Sequence, residues 1–537
     1  MPFDPDVAYQ AVQTRDARFD GRLFVGVTST GVYCRPICRV RTPRRENCRW
    51  FETAAQAEAQ NFRPCLKCRP EVAPGPGTAW SVMDASGTLA RQAAERLDAL
   101  AGEAGDDTAP AIAALAARLG VTDRHLRRIF VAEHGVTPLQ YLQTRRLLLA
   151  KQLLTDSRLP VTQVALASGF RSVRRFNAAF AERYRLSPSR LRRDGAPASR
   201  GAADAGRVEM TLGWRPPLDA PSLLRFFAQR AIAGIEAVDL ETLTLRRSVP
   251  AGVLGAPPGW IEAHFVPERA QLRIALAPAL AGASARAAHA VRRWFDLDAS
   301  PDVIDGALRG LHCEAASERL PGAGHGTRLP GEASATRLPG EGSGTRLPGE
   351  ASGTRLPGAL DGFELAVRAV LGQRVTVAAA CTLARRIAQR FGTPVATPWP
   401  AIDLAFPTPA VLAAATPDAI GELGVMRQQV AAIRAVAAAW SELLQIVEAP
   451  LPLAARAQAL VERLDALPGI GAWTAHYVAM RWLGWPDAFP PGDVAVLNAL
   501  GLGRSGAALR EAETMSQAWR PWRAYAVLRL WHTLEQR

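Results

Sequence analysis

Lysine is almost absent from this chain of 537 residues. The only lysines are Lys67 and Lys151, so no lysine amine in the carboxyl-terminal half could form a Schiff base with a substrate. Long apolar runs are absent as well, which excludes a membrane-spanning helix, and the opening MPFDPDVAYQ is acidic rather than a basic leader. From these absences we expect a cytoplasmic protein that has no membrane partner.

The chain is nevertheless basic, because 64 Lys and Arg outweigh 50 Asp and Glu and give a formal net charge of +14. The excess is largest over residues 81–195, where 18 basic residues stand against 11 acidic ones. With 48% hydrophobic residues the chain is expected to fold, so the excess favours a polyanionic partner such as nucleic acid. A run of charge by itself is also typical of a solvated face.

Composition divides the chain into segments of different character. Proline and glycine cluster near residue 77, and GAPASRGAADAG at 195–206 has the composition of a flexible linker. Apolar residues recur with helical spacing over 109–193 and again over 359–537, whereas 207–310 alternates strand-like segments with helices. The length and these breaks predict about three or four domains.

A nine-residue repeat separates the last two segments. Each unit offers one leucine and almost nothing else to bury, so it cannot repay the entropy of ordering, and we predict a disordered loop over 316–354. The RLPG of successive units begins at Arg319, Arg328, Arg337, Arg346 and Arg355.

Four of the seven cysteines stand in two closely spaced pairs. Cys34 and Cys38 form a C-x₃-C pair, and Cys65 and Cys68 form a C-x₂-C pair. Two short pairs at the ends of one segment can supply the four soft ligands that zinc prefers, so we predict one zinc ion bound by four cysteines. A purely structural zinc ribbon fits the same spacing. The remaining cysteines, interpreted as buried or surface thiols, are Cys48, Cys313 and Cys381.

The sequence around these cysteines resembles the metal-binding domain of Ada-type adaptive-response proteins, through TGVYCRPICRVRTPRREN and FRPCLKCRPE. In that family the first cysteine accepts a methyl group from a DNA methylphosphotriester, which implies that Cys34 is a catalytic nucleophile as well as a ligand. The resemblance also implies contacts of Thr30, Arg35 and Arg41 with the DNA backbone, although these could be ordinary surface residues.

Two copies of a helix-turn-helix pattern follow, at 112–130 and 161–184, with turns at Gly120 and Gly169. Thr122 and Ser172 are suited to cap the second helix of each copy. A single copy would fit a plain helical hairpin, but the ending GF-x₅-F-x₃-F with SPSRLRR resembles the AraC-type family, whose second helices enter the major groove. The side chains expected to face DNA are Arg124, Arg127, Arg128, Arg171, Arg174, Arg175 and Asn177.

LPGIG at 467–471 is typical of a helix-hairpin-helix, a turn that points the backbone N–H groups of Gly469 and Gly471 at a DNA phosphate. By itself the pentapeptide indicates DNA binding without regard to sequence. Asp493 follows 22 residues after Gly471, at the start of the helix-like segment DVAVLNALGL. In isolation such an aspartate is most often a helix N-cap.

The segment 207–537 resembles AlkA-type 3-methyladenine DNA glycosylases of the helix-hairpin-helix superfamily, through TLGWRPPL, LPGIGAWTAHYVAMR and PWRAYAVLRLWH. The resemblance implies a TATA-binding-like fold for its first part, a monovalent cation at the hairpin, and Asp493 as the catalytic carboxylate. It also implies a base pocket lined by Trp473, Tyr477 and Trp531, each of which could instead be a core aromatic.

Two departures from relatives refine this interpretation. Arg374 stands where the family has an apolar wedge that fills the gap left by a flipped base, so we expect Arg374 to contact DNA without the apolar insertion of the family. Trp473 occupies the position of the amine in glycosylases that also cut the strand, so we expect a monofunctional enzyme. No cysteine cluster follows Asp493, so no iron–sulfur cluster is expected.

The sequence therefore predicts a multidomain protein. It should contain a small α+β zinc domain, an all-α double helix-turn-helix domain, an α+β TATA-binding-like domain and an all-α helix-hairpin-helix glycosylase domain. The predicted divisions are 1–78, 79–194, a linker at 195–206, 207–315, the repeat loop at 316–354, and 355–537.

The leading hypothesis is a protein that accepts methyl groups from damaged phosphates, regulates transcription at an operator, and excises alkylated bases. Expected partners are double-stranded DNA and RNA polymerase, and we expect a monomer. One rival is a transcriptional regulator with a catalytically silent carboxyl-terminal half, and another is a glycosylase whose zinc module only docks it to DNA. The PCHR motif of O⁶-methylguanine transferases is absent, so that activity is not expected.

Overall fold

The computed structural model describes residues 3–75, 85–103, 109–195, 207–309, 353–449 and 451–535. Most of the predicted linker and of the repeat loop, together with Cys313, lies outside the described residues.

The amino-terminal module is a small sheet with two helices. Its strand order is β3-β1-β2-β4, with β1 antiparallel to both neighbours and β2 parallel to β4. Thr53 and Gln56 form a capping box that starts the second helix. The elements are α1 (Pro5–Gln13), β1 (Phe24–Val27), β2 (Val32–Cys34), β3 (Cys48–Phe51), α2 (Ala54–Ala59) and β4 (Arg63–Pro64).

The second module is wholly helical, as its apolar spacing predicts. Two helix-turn-helix units flank the long α6, whose amino terminus is fixed by a capping box between Thr137 and Gln140. The elements are α3 (Ala85–Leu100), α4 (Ala109–Arg118), α5 (Asp123–His134), α6 (Pro138–Asp156), α7 (Val161–Ala167), α8 (Val173–Tyr184) and α9 (Pro188–Gly195).

The third module is a five-stranded antiparallel sheet in the order β5-β9-β8-β7-β6, with helices against one face. Apolar and polar residues alternate along β5 and β9, so one face is buried and the other carries polar side chains. The elements are β5 (Val208–Gly213), α10 (Ala220–Ala228), β6 (Glu236–Asp239), β7 (Thr244–Val249), β8 (Gly259–Val266), β9 (Gln271–Leu276), α11 (Ser284–Trp294) and α12 (Pro301–Ala307).

The fourth module is a helical domain with one minimal two-stranded ribbon. Its elements are α13 (Gly362–Leu371), α14 (Val377–Phe391), β10 (Thr393–Pro394), β11 (Leu404–Ala405), α15 (Pro409–Ala414), α16 (Pro417–Gly421), α17 (Arg427–Ala438), α18 (Trp440–Val447), α19 (Leu453–Asp465), α20 (Ala472–Leu483), α21 (Val494–Ala499), α22 (Gly506–Ser516) and α23 (Arg523–Glu535).

The second and third modules share one hydrophobic core, because α3 packs against α11 and α6 runs along β5. The fourth module has a core of its own. Buried ion pairs tie the zinc module to this assembly: Lys151 Nζ lies 2.5 Å from Glu71 Oε2, and Arg69 Nη1 lies 2.7 Å from Asp156 Oδ1. The modules are therefore packed together rather than strung out.

Within the described residues, no single helix combines the length and apolarity needed to cross a membrane; one bent pair, α17 with α18, reaches them jointly by length and composition only.

Candidate functional site

Four sulfur atoms meet beside the amino-terminal sheet. The Sγ atoms of Cys34, Cys38, Cys65 and Cys68 all lie within 4.8 Å of one another. Zinc with Zn–S bonds of about 2.3 Å in a tetrahedron places its sulfurs roughly 3.8 Å apart, so this donor set fits zinc. Cys34 is 6% exposed, so its sulfur is sheltered without being fully enclosed.

Two strands set the spacing of the sulfurs. Cys34 ends β2, where it pairs with Val25 of β1. Cys65 directly follows β4, and its N–H donates to the carbonyl oxygen of Tyr33 at 3.0 Å. The parallel pairing of β2 with β4 thus brings the two cysteine loops together. The hydrogen bond with Cys34 lowers the pKa of the Cys38 thiol to about 7.

Arg35 supports this cluster from inside and does not face solvent. It is 5% exposed, its Nε donates to Asp20 Oδ1 at 2.7 Å, and its Nη1 donates to the carbonyl oxygen of Cys68 at 3.1 Å. Asp20 and the Cys68 loop thus enclose its guanidinium and give Arg35 a supporting role beside the cluster, and the contact of Arg35 with DNA stays a prediction. Thr30 and Arg41 are exposed, as a DNA contact requires.

The two helix-turn-helix units begin their second helices as the sequence predicts. Thr122 Oγ1 accepts the N–H of His125 at 3.2 Å, and Ser172 Oγ accepts the N–H of Arg175 at 3.2 Å. Arg127 is half-buried and its Nε donates to both carboxylate oxygens of Asp123 at 3.0 Å. The other side chains expected to face DNA are exposed: Arg124, Arg128, Arg171, Arg174, Arg175 and Asn177.

The hairpin lies between α19 and α20. Gly469 has a φ of +78°, and a Cβ at this position would lie 3.0 Å from Cβ of Ala432, so a side chain is excluded for two reasons. Gly471 is the N-cap residue of α20. Gln373 Nε2 donates to the carbonyl oxygen of Gly469 at 3.0 Å and to Thr474 Oγ1 at 3.2 Å, which fixes the hairpin to the loop after α13.

Asp493 is 6% exposed and both of its carboxylate oxygens accept hydrogen bonds. Trp473 Nε1 donates to Oδ2 at 2.8 Å, whereas Trp531 Nε1 donates to Oδ1 at 3.2 Å. The N–H of Val496 also donates to Oδ1, at 2.9 Å, so Asp493 does cap α21. The capping role and a chemical role are compatible, because the cap and the indoles together hold the carboxylate in one orientation.

Asp493 lines a cavity of about 460 Å³, within the size range of small-molecule sites. The rings of Trp473 and Tyr477 stack with centroids 5.0 Å apart and planes 11° apart, and Trp531 lies 6.4 Å from Tyr477. The structure thus brings the three predicted aromatics to one wall. A further part of the lining comes from α10 of the third module, which contributes Phe226.

Tyr477 has an unexpected partner in Arg481, one helical turn later on α20. Arg481 Nη1 donates to the Tyr477 hydroxyl at 2.7 Å, and its other nitrogens donate to the carbonyl oxygens of Pro357 and Gly358. Burial alone would raise the pKa of Tyr477, but the positive charges of Arg481, Arg230 and Arg368 together outweigh it and lower that pKa. Because the hydroxyl accepts from Arg481, its own proton is left to donate into the cavity.

Four sequence families match successive parts of the chain. They are "Metal binding domain of Ada" over residues 7–71, "Helix-turn-helix domain" over 115–194, "AlkA N-terminal domain" over 209–334, and "HhH-GPD superfamily base excision DNA repair protein" over 367–524. A relative from Mycobacterium tuberculosis, "Probable bifunctional transcriptional activator/DNA repair enzyme AlkA", is 36% identical over 100% of this chain and 97% of its own length. The chain belongs to this bifunctional AlkA family.

Two further relatives each match one part of the chain. "DNA-3-methyladenine glycosylase 2" of Escherichia coli is 33% identical over 60% of this chain and 96% of its own length. "Regulatory protein ada" of Salmonella typhimurium is 33% identical over 31% of this chain and 42% of its own length. The order of modules, the four-cysteine zinc site and the multidomain fold predicted from the sequence are confirmed.

In this AlkA-family chain Arg374 lies at the rim of the cavity, between Gly372 and Val375, which line it. Arg374 is exposed and has a φ of +60°, a left-handed backbone that a residue with a side chain rarely adopts. Gln429 holds this loop, because its Nε2 donates to the carbonyl oxygens of Leu371, at 3.2 Å, and of Gln373, at 3.3 Å. The role of Arg374 at the wedge position stays a prediction.

Sequence reasoning missed Arg481, although its spacing of four residues from Tyr477 places both on one helical face and could have pointed to it. It also missed Asp20 and Phe226. No local signal could have found these, since Asp20 lies well before the first cysteine and Phe226 reaches the cavity from a different module.

Hydrogen bonds connect the zinc site to the cavity in this AlkA-family chain. Arg35 contacts Cys68 and Asp20, and Arg215 Nε donates to the carbonyl oxygen of Asp20 at 3.1 Å. Arg355 Nη2 in turn donates to the carbonyl oxygen of Arg215 at 2.6 Å, and Arg355 lines the cavity. The last RLPG unit, which begins at Arg355, thus contributes contacts to the folded structure.

Proposed function

We propose that this protein repairs alkylated DNA in two ways and regulates transcription in response to one of them. The observation that carries the proposal is the carboxylate of Asp493, held by two indole N–H groups on the wall of an aromatic-lined cavity. The four-sulfur cluster at the other end of the chain supports the second activity.

In the cavity, an alkylated base such as 3-methyladenine is excised after it leaves the duplex. A purine that carries positive charge stacks on the electron-rich rings of Trp473, Tyr477 and Trp531. The bond between base and sugar breaks with its electron pair going to the base, and Asp493 stabilises the positive charge that develops on the sugar. Water then attacks the sugar carbon and loses a proton, which leaves an abasic site.

Three finer features belong to this activity. The enzyme is monofunctional, since the chain has no lysine in this half and Trp473 stands beside Asp493. Gly469 and Gly471 bind a DNA phosphate, and the carbonyl groups of the hairpin hold a monovalent cation. Arg374 contacts the DNA at the rim of the cavity.

At the cluster, Cys34 accepts one methyl group irreversibly. Bound zinc keeps the sulfurs ionised at neutral pH. The Cys34 sulfur attacks the methyl carbon of a methylphosphotriester, the carbon–oxygen bond breaks, and the electron pair stays on the phosphate oxygen. Turning a thiolate into a neutral thioether removes one negative charge from the cluster, so it should bind the DNA backbone more tightly, with Thr30 and Arg41 as contacts.

The helix-turn-helix module then reads an operator in the major groove. The exposed arginines of α5 and α8, together with Asn177, are suited to base edges and phosphates. The words "transcriptional activator" in the names of relatives support an encounter with RNA polymerase, in the cytoplasm. We further propose that the chain acts as a monomer, which sedimentation of the DNA-bound and free protein would test.

The decisive experiment incubates the full chain with methylated duplex and analyses freed bases and peptide adducts in parallel. Wild type should release 3-methyladenine and gain one methyl group on Cys34. Asp493→Asn should lower base release by about 10³-fold or more, since it removes the charge beside the sugar, and should leave methyl uptake intact.

Cys34→Ser is the reciprocal control, since it should abolish methyl uptake and leave base release intact. If wild type releases no base while binding DNA normally, the regulator with a silent second half is favoured. A methyl adduct on a residue other than Cys34, or no adduct, would favour a zinc module that only docks the enzyme.

A further inference from the structure

A second concave surface shares no residue with either site. It has a volume of about 770 Å³ and lies between the polar face of the five-stranded sheet and the carboxyl end of α6. We call it the arginine groove, because six arginines line it: Arg69, Arg158, Arg207, Arg246, Arg269 and Arg273.

Only half of these arginines are matched by acidic partners in the groove. The matched pairs are Arg69 with Asp156 at 2.7 Å, Arg207 with Glu209 at 2.5 Å, and Arg246 with Glu262 at 2.9 Å. Within the described parts of the chain, the side chains of Arg158, Arg269 and Arg273 make no ion pair or hydrogen bond, and Arg158 and Arg269 are exposed. The groove therefore carries a net positive charge and three guanidinium groups available to an anion.

The sheet arranges further donors in a straight row. In the strand register, Thr211 pairs with Arg273, Arg273 with His264, and His264 with Thr244. Four strands at about 4.8 Å spacing give this row a length of roughly 14 Å, which is long enough to contact more than one phosphate of a DNA strand. Guanidinium, imidazole and hydroxyl groups are all suited to phosphate oxygens.

The residues that line the groove also indicate which ligands it does not bind. It contains no phenylalanine, tyrosine or tryptophan on which a nucleobase could stack. A free nucleotide would gain little from its base here, whereas a backbone needs only phosphate contacts. Arg158 comes from the helix-turn-helix module and Arg273 from the sheet module, so one ligand would contact both.

We propose that the arginine groove binds the sugar–phosphate backbone of duplex DNA without regard to sequence. This is a DNA contact additional to those of the zinc module, the helix-turn-helix units and the hairpin. The groove holds a DNA duplex against the sheet and so fixes the path of the duplex relative to the helix-turn-helix module.

The test measures the affinity of the full chain for undamaged duplex over a range of salt concentrations. The double variant Arg269→Gln with Arg273→Gln removes two unpaired guanidinium groups. Each lost phosphate contact lowers the slope of log K against log salt by about 0.9, so the slope should fall by about 2, with a loss of affinity of roughly tenfold to hundredfold that is uniform across sequences.

Two matched variants serve as controls. Arg273→Lys keeps the charge and should keep the slope. Glu268→Gln removes an exposed acid beside Arg269 and should leave the slope unchanged while binding becomes slightly tighter. Arg158→Gln, in a loop outside the sheet, should lower the slope by about 1 and does not depend on the sheet tolerating substitution.

An unchanged slope in both the double variant and Arg158→Gln would overturn the proposal. So would unchanged DNA binding combined with lost binding to polyglutamate, since that result would assign the groove to an acidic protein. Failure of base release or of methyl uptake concerns the other sites and is read in separate assays, so it is distinguishable from failure of the groove.

Discussion

The zinc cluster and the base cavity are built in opposite ways. All four sulfurs come from residues 34–68, on two adjacent strands and their loops. The cavity is lined by residues of α10, the segment 354–357, α13 and the loop after it, α14, α20, α21 and α23, so its residues span 219–534. The zinc cluster joins residues that are close in sequence, so one small sheet is enough to assemble it. The cavity forms only when two modules are packed together.

The largest expected effect is the loss of zinc and of methyl uptake in a variant that keeps base release. Cys68→Ser removes one of four zinc ligands, so zinc and methyl uptake should be lost, while base release stays within a few-fold of wild type because no ligand lines the cavity. Zinc content and base release are measured on the same sample. The matched control is Cys48→Ser, a buried cysteine of the same small core that lies outside the cluster and should keep zinc. A large loss of base release in Cys68→Ser alone would mean that the Arg35–Asp20–Arg215–Arg355 hydrogen bonds couple the sites.

The next effect concerns the pH dependence of stability where the zinc module packs against the helix-turn-helix module. Glu58 is fully buried and accepts from Tyr33 Oη at 3.1 Å and Thr144 Oγ1 at 3.2 Å. Burial raises its pKa to about 7 from the ordinary value of 4.5. A raised carboxyl pKa gives stability that is fully present below about pH 4.5 and is lost as pH rises through about 7, by up to about 3 kcal/mol. Glu58→Gln should remove this dependence.

Urea unfolding of the amino-terminal modules at several pH values between about 4.5 and 8 measures this effect. Wild type should lose stability as pH rises, and Glu58→Gln should give a flatter curve. Glu46→Gln, at an exposed glutamate of the same module, should follow wild type. Parallel curves for Glu58→Gln and wild type would contradict the assignment.

A smaller effect tests the orientation of Asp493. Trp473→Phe keeps an aromatic ring but removes the N–H that donates to Oδ2 at 2.8 Å. A hydrogen bond to a charged group is worth about 1.5 to 3 kcal/mol, so single-turnover base release should slow about tenfold or more. Trp485→Phe is the control, because Trp485 is a buried indole of the same module and its Nε1 has no hydrogen-bond partner among the described residues. Equal rates for the two variants would count against a positioning role.

The smallest effect is a titration. Because Arg481 lowers the pKa of Tyr477, its hydroxyl should ionise below the ordinary tyrosine value of about 10. Burial raises the pKa of Tyr33, Tyr184 and Tyr525 well above that value. The tyrosinate absorbance that appears first with rising pH should therefore be missing in Tyr477→Phe, and base release should fall with the same midpoint. An early transition that persists in the variant would assign it to another tyrosine.

Local sequence patterns predicted several features of the fold. Thr122 and Ser172 cap their helices as predicted because capping needs only a side chain and the next turn of backbone. The same reason explains the hairpin glycine at 469, whose left-handed backbone is a local demand. The supporting contacts of Arg35 could not be predicted in this way, because they depend on Asp20 and on the Cys68 loop, which no local pattern connects to it.

By itself the sequence determined the order of the modules and the four candidate ligands of the zinc site, since these depend on residue type and short spacing, and its resemblance to AlkA-type glycosylases indicated the candidate carboxylate. Only the tertiary structure decided that Trp473 and Trp531 both donate to Asp493, that Phe226 closes the cavity from another module, and that the arginine groove forms where α6 meets the sheet. These contacts join residues far apart in the chain, and their geometry follows from how helices and sheet pack to bury their apolar faces.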